Sequence, residues 1–172
     1  MDHSGCGLTV EYNEKLNVGY RYYDKHTDEI AFPFGHGLSY TDFEYSDLKV
    51  TPWEDKSCKV SFKIKNVGSY DGAEVVQLYI SDVESIVTKP IKELKKFKKI
   101  FLKQGEEKEI DFTLYNDDFT YYNVTYHKWI AEDGVYDILI GASSQDIRLK
   151  GSVLIEGETP YTTIKAHGDM IG

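Results

Sequence analysis

Acidic and nucleophilic side chains are the first candidates for chemistry in this sequence of 172 residues. It contains 29 aspartates and glutamates, but a catalytic pair of carboxylates is defined by its separation in space, which sequence does not give. No serine lies in the pattern of a nucleophile elbow, and no glycine-rich loop precedes a phosphate-binding lysine. We therefore predict no catalytic residue in this chain.

Aromatic residues are concentrated in the segment 119–129, where they could form a platform for stacking sugar rings. The alternative is packing in the core and at a corner of the fold, and we expect it because large aromatic residues are more often structural. The candidates for stacking are Tyr121, Tyr122 and Trp129, beside Phe119 and Tyr126.

Histidine and cysteine do not form a metal-binding pattern in this sequence. Two cysteines are too few for a disulfide scaffold, and we expect Cys6 and Cys58 to be free thiols. The five histidines are scattered, and none is spaced as a helical ligand pair. We predict neither a metal site nor a cofactor.

A loop rich in aromatic residues, glycine and proline runs from Ala31 to Thr41. Pro33 and two glycines allow sharp turns, so the segment is neither a helix nor a central strand. We expect Phe32, Leu38 and Tyr40 to anchor this loop, because a solvated linker gains nothing from large apolar side chains. Phe34 and His36 lie on the turn itself and could point outward, toward a substrate or only into an interface between domains.

The charge pattern excludes some partners. A net charge of −9 argues against nucleic acid, and no apolar run approaches the roughly 18 residues of a membrane-spanning helix. No secretory signal is visible near Met1, but the compartment stays unknown because a segment of a longer protein would also lack one. Seven lysines between Lys89 and Lys103 are typical of a strand with a lysine-coated solvent face.

These side chains are carried by short strands separated by turns. Residues 58–67 alternate between apolar and polar types, which is the period of a half-buried strand. Similar segments follow up to residue 156, with a bulge expected in 92–102. Seven or eight antiparallel strands predict an all-β sandwich of immunoglobulin or fibronectin type III kind. The predicted core is Val60, Phe62, Ile64, Val76, Leu78, Ile80, Phe112, Trp129, Tyr136, Ile138 and Ile140.

The segment before the loop, the head, contains an apparent strand over Leu16–Tyr23 without a local partner. A single strand is not stable by itself. We therefore expect the head to be the least stable part of the chain and the remainder of another domain.

Several motifs occur in a fixed order along the chain. They begin with Val18-Gly19-Tyr20-Arg21-Tyr22-Tyr23-Asp24 and Phe32-Pro33-Phe34-Gly35-His36-Gly37-Leu38-Ser39-Tyr40-Thr41. The later pieces are Asn66-Val67-Gly68, Asp71-Gly72-Ala73-Glu74-Val75-Val76-Gln77-Leu78-Tyr79, Pro90-Ile91-Lys92-Glu93-Leu94-Lys95-Lys96-Phe97 and Gly134-Val135-Tyr136. Together they cover about residues 16–155 and resemble the C-terminal region of glycoside hydrolase family 3 enzymes, chiefly β-glucosidases.

The resemblance implies three segments. Residues 1–42 would be the end of an α/β domain with its connecting loop, 43–156 a fibronectin type III-like sandwich, and 157–172 a tail or linker. The family's catalytic aspartate lies in a barrel whose motif has no match here, so no catalytic residue is carried over.

The implied function is that of a noncatalytic accessory domain of an enzyme that hydrolyses terminal β-glucosidic bonds. Its partners would be the barrel and α/β domains, with carbohydrate bound through the parent enzyme, and neither nucleic acid nor membrane. The chain alone is not expected to be an enzyme. The alternative is a glycan-binding module that uses the segment 119–129.

Overall fold

The computed structural model describes residues 13–85 and 87–158. Nine strands follow two short helical segments: β1 Phe43–Val50, β2 Ser57–Asn66, β3 Gly72–Asp82, β4 Glu93–Leu102, β5 Glu107–Tyr115, β6 Tyr121–Asn123, β7 Lys128–Ile130, β8 Gly134–Gly141 and β9 Ile147–Ile155. Helix α1 spans Tyr20–Tyr23, a 3-10 turn spans Thr27–Glu29, and α2 spans Asn116–Phe119. No helix in the described ranges is long and apolar enough to cross a membrane.

Seven of the strands form two antiparallel sheets. The three-stranded sheet has the order β1-β2-β5, the four-stranded sheet has the order β4-β3-β8-β9, and β6 pairs with β7 in a separate hairpin. This is the predicted all-β sandwich. The expected bulge lies in β4, where Lys95 is the extra residue between Leu94 and Lys96, which pair with Tyr79 and Leu78. The division of the chain at residue 42 stays a prediction, although β1 begins at Phe43.

The core lies between the inner faces of the two sheets. Phe62 on β2 packs between Tyr45 and Phe112, with ring centroids 6.1 and 6.3 Å away. Ten of the eleven predicted core residues are buried. The exception is Trp129, which is 66% exposed on the β6–β7 hairpin. That hairpin lies outside both sheets, so the alternation along β7 does not bring Trp129 to the core.

The lysine-rich segment is only partly the solvated face that we expected. β4 is indeed an edge strand, and Lys98, Lys99 and Lys103 are exposed. Lys92, however, is buried and its Nζ lies 2.7 Å from Oδ1 of Asp24. Phe97 was expected on the apolar side of this strand and is instead exposed. The bulge at Lys95 breaks the period of two at this point of the strand.

The head is not the predicted extended strand. Gly19 has a φ of 59°, and the chain after it closes into the single helical turn α1. The Tyr20 hydroxyl accepts a hydrogen bond of 2.8 Å from the Leu94 amide, and Arg21 pairs with Glu93. The head is therefore docked on the four-stranded sheet, and its expected isolation is wrong. Cys6 and almost all of the segment 157–172 lie outside the described residues.

Candidate functional site

The aromatic loop is held on the sandwich by its backbone. The Ser144 amide donates to the carbonyl of Phe34 at 2.9 Å. The buried Gln77 side chain donates from Nε2 to the carbonyls of Gly35 at 3.3 Å and Ala142 at 2.7 Å. Tyr79 donates its hydroxyl to the other end of the same amide at 2.5 Å. One buried glutamine thereby fixes the position of the turn.

Gly35 is required at this turn for two reasons. Its φ of 78° lies in the left-handed region, which favours glycine. A Cβ at this position would also collide with the amide of Gln77. The sequence pattern identified a turn here but not Gln77, whose role appears only when β3 is placed beside the loop.

The side chains of the loop are oriented only partly as we expected. Phe34, predicted to point outward, is half-exposed and stacks on Tyr20 with centroids 4.8 Å apart. His36 is exposed and stacks on Phe32 at 5.1 Å. The predicted anchors Phe32, Leu38 and Tyr40 are all exposed, Leu38 and Tyr40 by 92% and 96%. The anchoring prediction is wrong because hydrogen bonds from Gln77 and Ser144, rather than apolar contacts, hold the loop.

The exposed loop continues into an apolar surface on the sandwich. Leu38 lines the same cavity as Val75 and Lys99, which pair across β3 and β4. Phe97 and Phe101 lie two residues before and after Lys99, so they share its face of the sheet, and both are exposed. We call Leu38, Val75, Phe97 and Phe101 the docking face, together with Tyr40, the exposed residue two positions after Leu38 in the loop.

The cavity that Leu38 shares with Val75 and Lys99 has a volume of about 540 Å³, and His36 also contributes to its lining. Glu74 and Arg148 also line it. Tyr45 donates its hydroxyl to Glu74 at 3.3 Å, and the Arg148 guanidinium lies 5.0 Å from the centre of the Tyr45 ring. Burial raises the pKa of Glu74, although the hydrogen bond from Tyr45 and the charge of Arg148 lower it. Arg148 also donates to Asp146, and this hydrogen bond lowers the pKa of that carboxyl.

A second cavity, of about 410 Å³, lies between the β6–β7 hairpin, the start of β4 and the head. We call it the aromatic cleft. The three residues predicted from sequence as stacking candidates, Tyr121, Tyr122 and Trp129, all line it. Tyr122 and Trp129 are cross-strand partners with centroids 5.7 Å apart at 69°. The structure therefore brings the three candidates together, while Phe119, a fourth lining residue, is buried against Tyr136.

Lysine and arginine side chains that the sequence analysis did not assign to any site complete this cleft. Lys89 lies 4.4 Å from the centre of the Tyr121 ring and pairs with Asp82 at 2.6 Å and Glu132 at 2.9 Å. Arg21 reaches the cleft from α1. No sequence signal could have identified Arg21, because its proximity depends on how the head docks.

The described residues offer no group of three or more histidine, cysteine, aspartate or glutamate side chains that could hold a metal ion. Cys58 is a buried thiol, and burial raises its pKa to about 11. A thiol in such an environment is unreactive because the thiolate is the nucleophile.

Comparison with known proteins gives a consistent result. Residues 74–144 match the family described as fibronectin type III-like domain. The chain is 56% identical over 149 residues to thermostable beta-glucosidase B of Acetivibrio thermocellus, which covers 85% of this chain and 20% of that protein. It is 43% identical over 159 residues to beta-glucosidase BoGH3A of Bacteroides ovatus, covering 91% of this chain and 21% of that protein.

A solved structure is similar over the same part of the chain. The GH3 beta-glucosidase of Bifidobacterium adolescentis superposes with a TM-score of 0.82 at 38% identity, covering 87% of this chain and 22% of that one. The chain thus spans about a fifth of the length of the curated relatives that it matches.

Proposed function

Because this chain is a C-terminal region of a glycoside hydrolase family 3 enzyme and contains its fibronectin type III-like domain, we propose that it is a noncatalytic accessory domain that stabilises the catalytic barrel and α/β domains. The parent activity in this proposal is hydrolysis of terminal β-glucosidic bonds, as the names of the relatives suggest. Sandwiches serve many functions, so the proposal depends on the surface of this one rather than on its fold.

The observation that carries the proposal is the docking face. The hydrogen bonds of Gln77 and Ser144 fix the loop backbone, so Leu38 and Tyr40 are exposed on an ordered segment. Phe97 and Phe101 extend the same apolar surface along β4. Contiguous exposed apolar side chains mark interaction sites, and burying each of them against a partner is worth about 1.5–3 kcal/mol. A neighbouring domain of the same enzyme is the partner that this surface fits.

Substitution of the docking face in the full-length enzyme and in the 172-residue chain tests this proposal. Leu38→Ser combined with Tyr40→Ser should lower the Tm of the full-length enzyme, because apolar contacts between domains are lost. The same pair should leave the Tm of the 172-residue chain unchanged, since both side chains are solvated there. Leu154→Ser, an exposed leucine on β9 outside this face, is the matched control. An unchanged Tm of the full-length double variant would refute the docking role.

We propose in addition that the loop contributes to the rim of the active site through Phe34 and His36. Support comes from the exposed imidazole of His36 at a polar cavity and from the half-exposed ring of Phe34. An imidazole can hydrogen-bond a sugar hydroxyl, and an aromatic face can stack on a sugar ring.

Steady-state kinetics of the full-length enzyme separate this rim role from packing alone. His36→Ala and Phe34→Ala should raise KM or lower kcat, since they remove contacts with substrate or transition state. Phe34→Ala should also lower the Tm slightly, because it removes the stacking of Phe34 on Tyr20. Ser46→Ala, on β1 outside the loop, is a control that should leave the kinetics unchanged. Unchanged kinetics with a lower Tm would leave only the packing role.

A further inference from the structure

Two aromatic side chains of the aromatic cleft are exposed without serving the core. Trp129 is 66% exposed and Tyr122 is 46% exposed, and the hairpin that holds them belongs to neither sheet of the sandwich. The β6–β7 pairing sets the two rings edge to face, and both residues line the cleft. Ordered, open aromatic faces at a concave site are typical of ligand binding.

The charges around the cleft restrict the kind of ligand that it can bind. Three cationic side chains and three carboxylates line it, so they balance: Arg21, Lys89 and Lys95 against Asp82, Glu93 and Asp118. The carboxylates are held in ion pairs, of Asp82 with Lys89, of Glu93 with Arg21 and Lys95, and of Asp118 with Lys96. A charged ligand would have to compete with one of these pairs. A neutral ligand with many hydroxyl groups can add hydrogen bonds to both signs of charge without breaking them.

We propose that the aromatic cleft binds a neutral oligosaccharide built of equatorially substituted pyranose rings. Such a ring presents axial C–H bonds on each face, and these stack on the electron-rich faces of Tyr122 and Trp129. Its hydroxyl groups accept from Arg21 and Lys95 and donate to Glu93 and Asp118 at the same cleft. The cavity volume of about 410 Å³ lies in the range of about 300–1,000 Å³ that is usual for small-molecule sites.

This binding role is independent of the docking role, because the aromatic cleft and the docking face share no residue. It gives the docked head a function, since Leu16 and Arg21 of the head line the cleft. The two proposals therefore fail separately. Loss of the docking role would appear in the Tm of the full-length enzyme, whereas loss of the binding role would appear in titrations of this chain.

Titration of the isotope-labelled 172-residue chain with cellotetraose, followed by ¹H–¹⁵N NMR, tests the proposal. The chain has two tryptophans, so the indole N–H of Trp53 serves as an internal control for that of Trp129. We expect the Trp129 signal to shift with a Kd on the order of 0.1–1 mM, as for a shallow site that covers one face of its ligand. The Trp53 signal should shift much less than that of Trp129, because Trp53 does not line the cleft and reaches it only through its contact with Phe119.

Variants identify the site. Tyr122→Ala should weaken cellotetraose binding at least tenfold, measured through the Trp129 signal, and Trp129→Ala should do the same by calorimetry. Tyr70→Ala, an exposed tyrosine outside the cleft, should leave the Kd unchanged. The proposal is overturned if 10 mM cellotetraose shifts no cleft signal or if Tyr122→Ala leaves the affinity unchanged. Tighter binding of a uronic acid oligomer of the same length would overturn the neutral class of ligand.

Discussion

At the scale of single residues, Phe62 and Trp129 occupy opposite environments. Phe62 is 1% exposed between the rings of Tyr45 and Phe112, whereas Trp129 contacts solvent on the hairpin. Phe62→Ala should therefore lower the free energy of unfolding by about 3–5 kcal/mol, from lost burial and a cavity. Trp129→Ala should lower it by less than about 1 kcal/mol. Urea unfolding of the 172-residue chain measures both values.

Another exposed aromatic residue provides the control for Trp129→Ala. Phe97→Ala removes another exposed aromatic ring, on β4, and should also cost less than about 1 kcal/mol. A cost above 2 kcal/mol for Trp129→Ala would contradict the exposed position of this ring. A cost below 1 kcal/mol for Phe62→Ala would contradict its burial.

Glu74 should make the stability of the chain depend on pH. Because burial raises its pKa in the folded state, the folded state binds a proton more tightly than the unfolded state does. This contribution to stability is complete below the unfolded pKa of about 4.3 and is lost as pH rises through the folded pKa. Glu74→Gln mimics the protonated form and still offers an oxygen to Tyr45. Its Tm should exceed that of the wild type at pH 7, and the difference should shrink toward pH 4.

Thermal melts at several pH values check this expectation. Glu44→Gln removes an exposed glutamate from β1 and should give a smaller difference at pH 7. A lower Tm for Glu74→Gln than for the wild type at pH 7 would show that the charge of Arg148 outweighs the burial of Glu74.

At the scale of elements, the docking of the head depends on a buried ion pair. The side chains of Asp24 and Lys92 are 1% and 10% exposed. The side-chain amide of Gln145 also donates a hydrogen bond of 3.2 Å to the Asp24 carboxylate. Lys92→Met leaves the Asp24 carboxylate buried without its cation, which costs about 3–5 kcal/mol in a rigid structure. The head can escape this cost by detaching. We therefore expect fast amide exchange over 20–26 and little change over 75–80.

The double variant Asp24→Asn with Lys92→Met distinguishes lost charge pairing from lost packing. It removes both charges, so it should restore part of the protection of amides 20–26. Hydrogen exchange followed by mass spectrometry resolves the two segments. Wild-type protection of the head in Lys92→Met would show that the ion pair does not hold it.

An element could be predicted from the sequence when the contacts that determine it are close in sequence, and could not when they are distant. The alternation in β2 depends on adjacent residues and was predicted correctly. The prediction of a strand in the head was wrong. Apolar residues around Tyr20 fit a period of two, but the hydrogen bond that docks Tyr20 comes from Leu94, more than seventy positions away. The loop was predicted to be docked, but its real anchor, Gln77, is a polar residue on another strand.

The candidate site could likewise be predicted only in part from the sequence. Tyr121, Tyr122 and Trp129 are close in sequence, and the hairpin brings them to one cleft. Arg21, Lys89 and Lys95 come from three other segments, so no local pattern could have assigned them to it.

At the scale of the whole molecule, the two proposed roles belong to two separate surfaces. The docking face would contact a neighbouring domain, and the aromatic cleft would bind carbohydrate. The docking face is made of apolar side chains from the loop, β3 and β4, whereas equal numbers of cationic and anionic side chains line the aromatic cleft. Neither surface includes a residue matching the family's catalytic motif. If both proposals are correct, the chain binds carbohydrate without hydrolysing it.

Activity measurements on the 172-residue chain test this separation directly. With 4-nitrophenyl β-glucoside as substrate, the rate of hydrolysis should equal that in buffer alone. The reason is that the sequence offers no match to the family's barrel aspartate, which is the nucleophile. A nucleophile and a general acid together supply most of the rate enhancement in this chemistry, and substrate binding alone does not lower the barrier to the chemical step. The Trp129→Ala variant, purified in parallel, controls for contaminating glucosidase: turnover equal in both preparations marks a contaminant. Turnover that survives repurification and falls with Trp129→Ala would show that the aromatic cleft is itself catalytic.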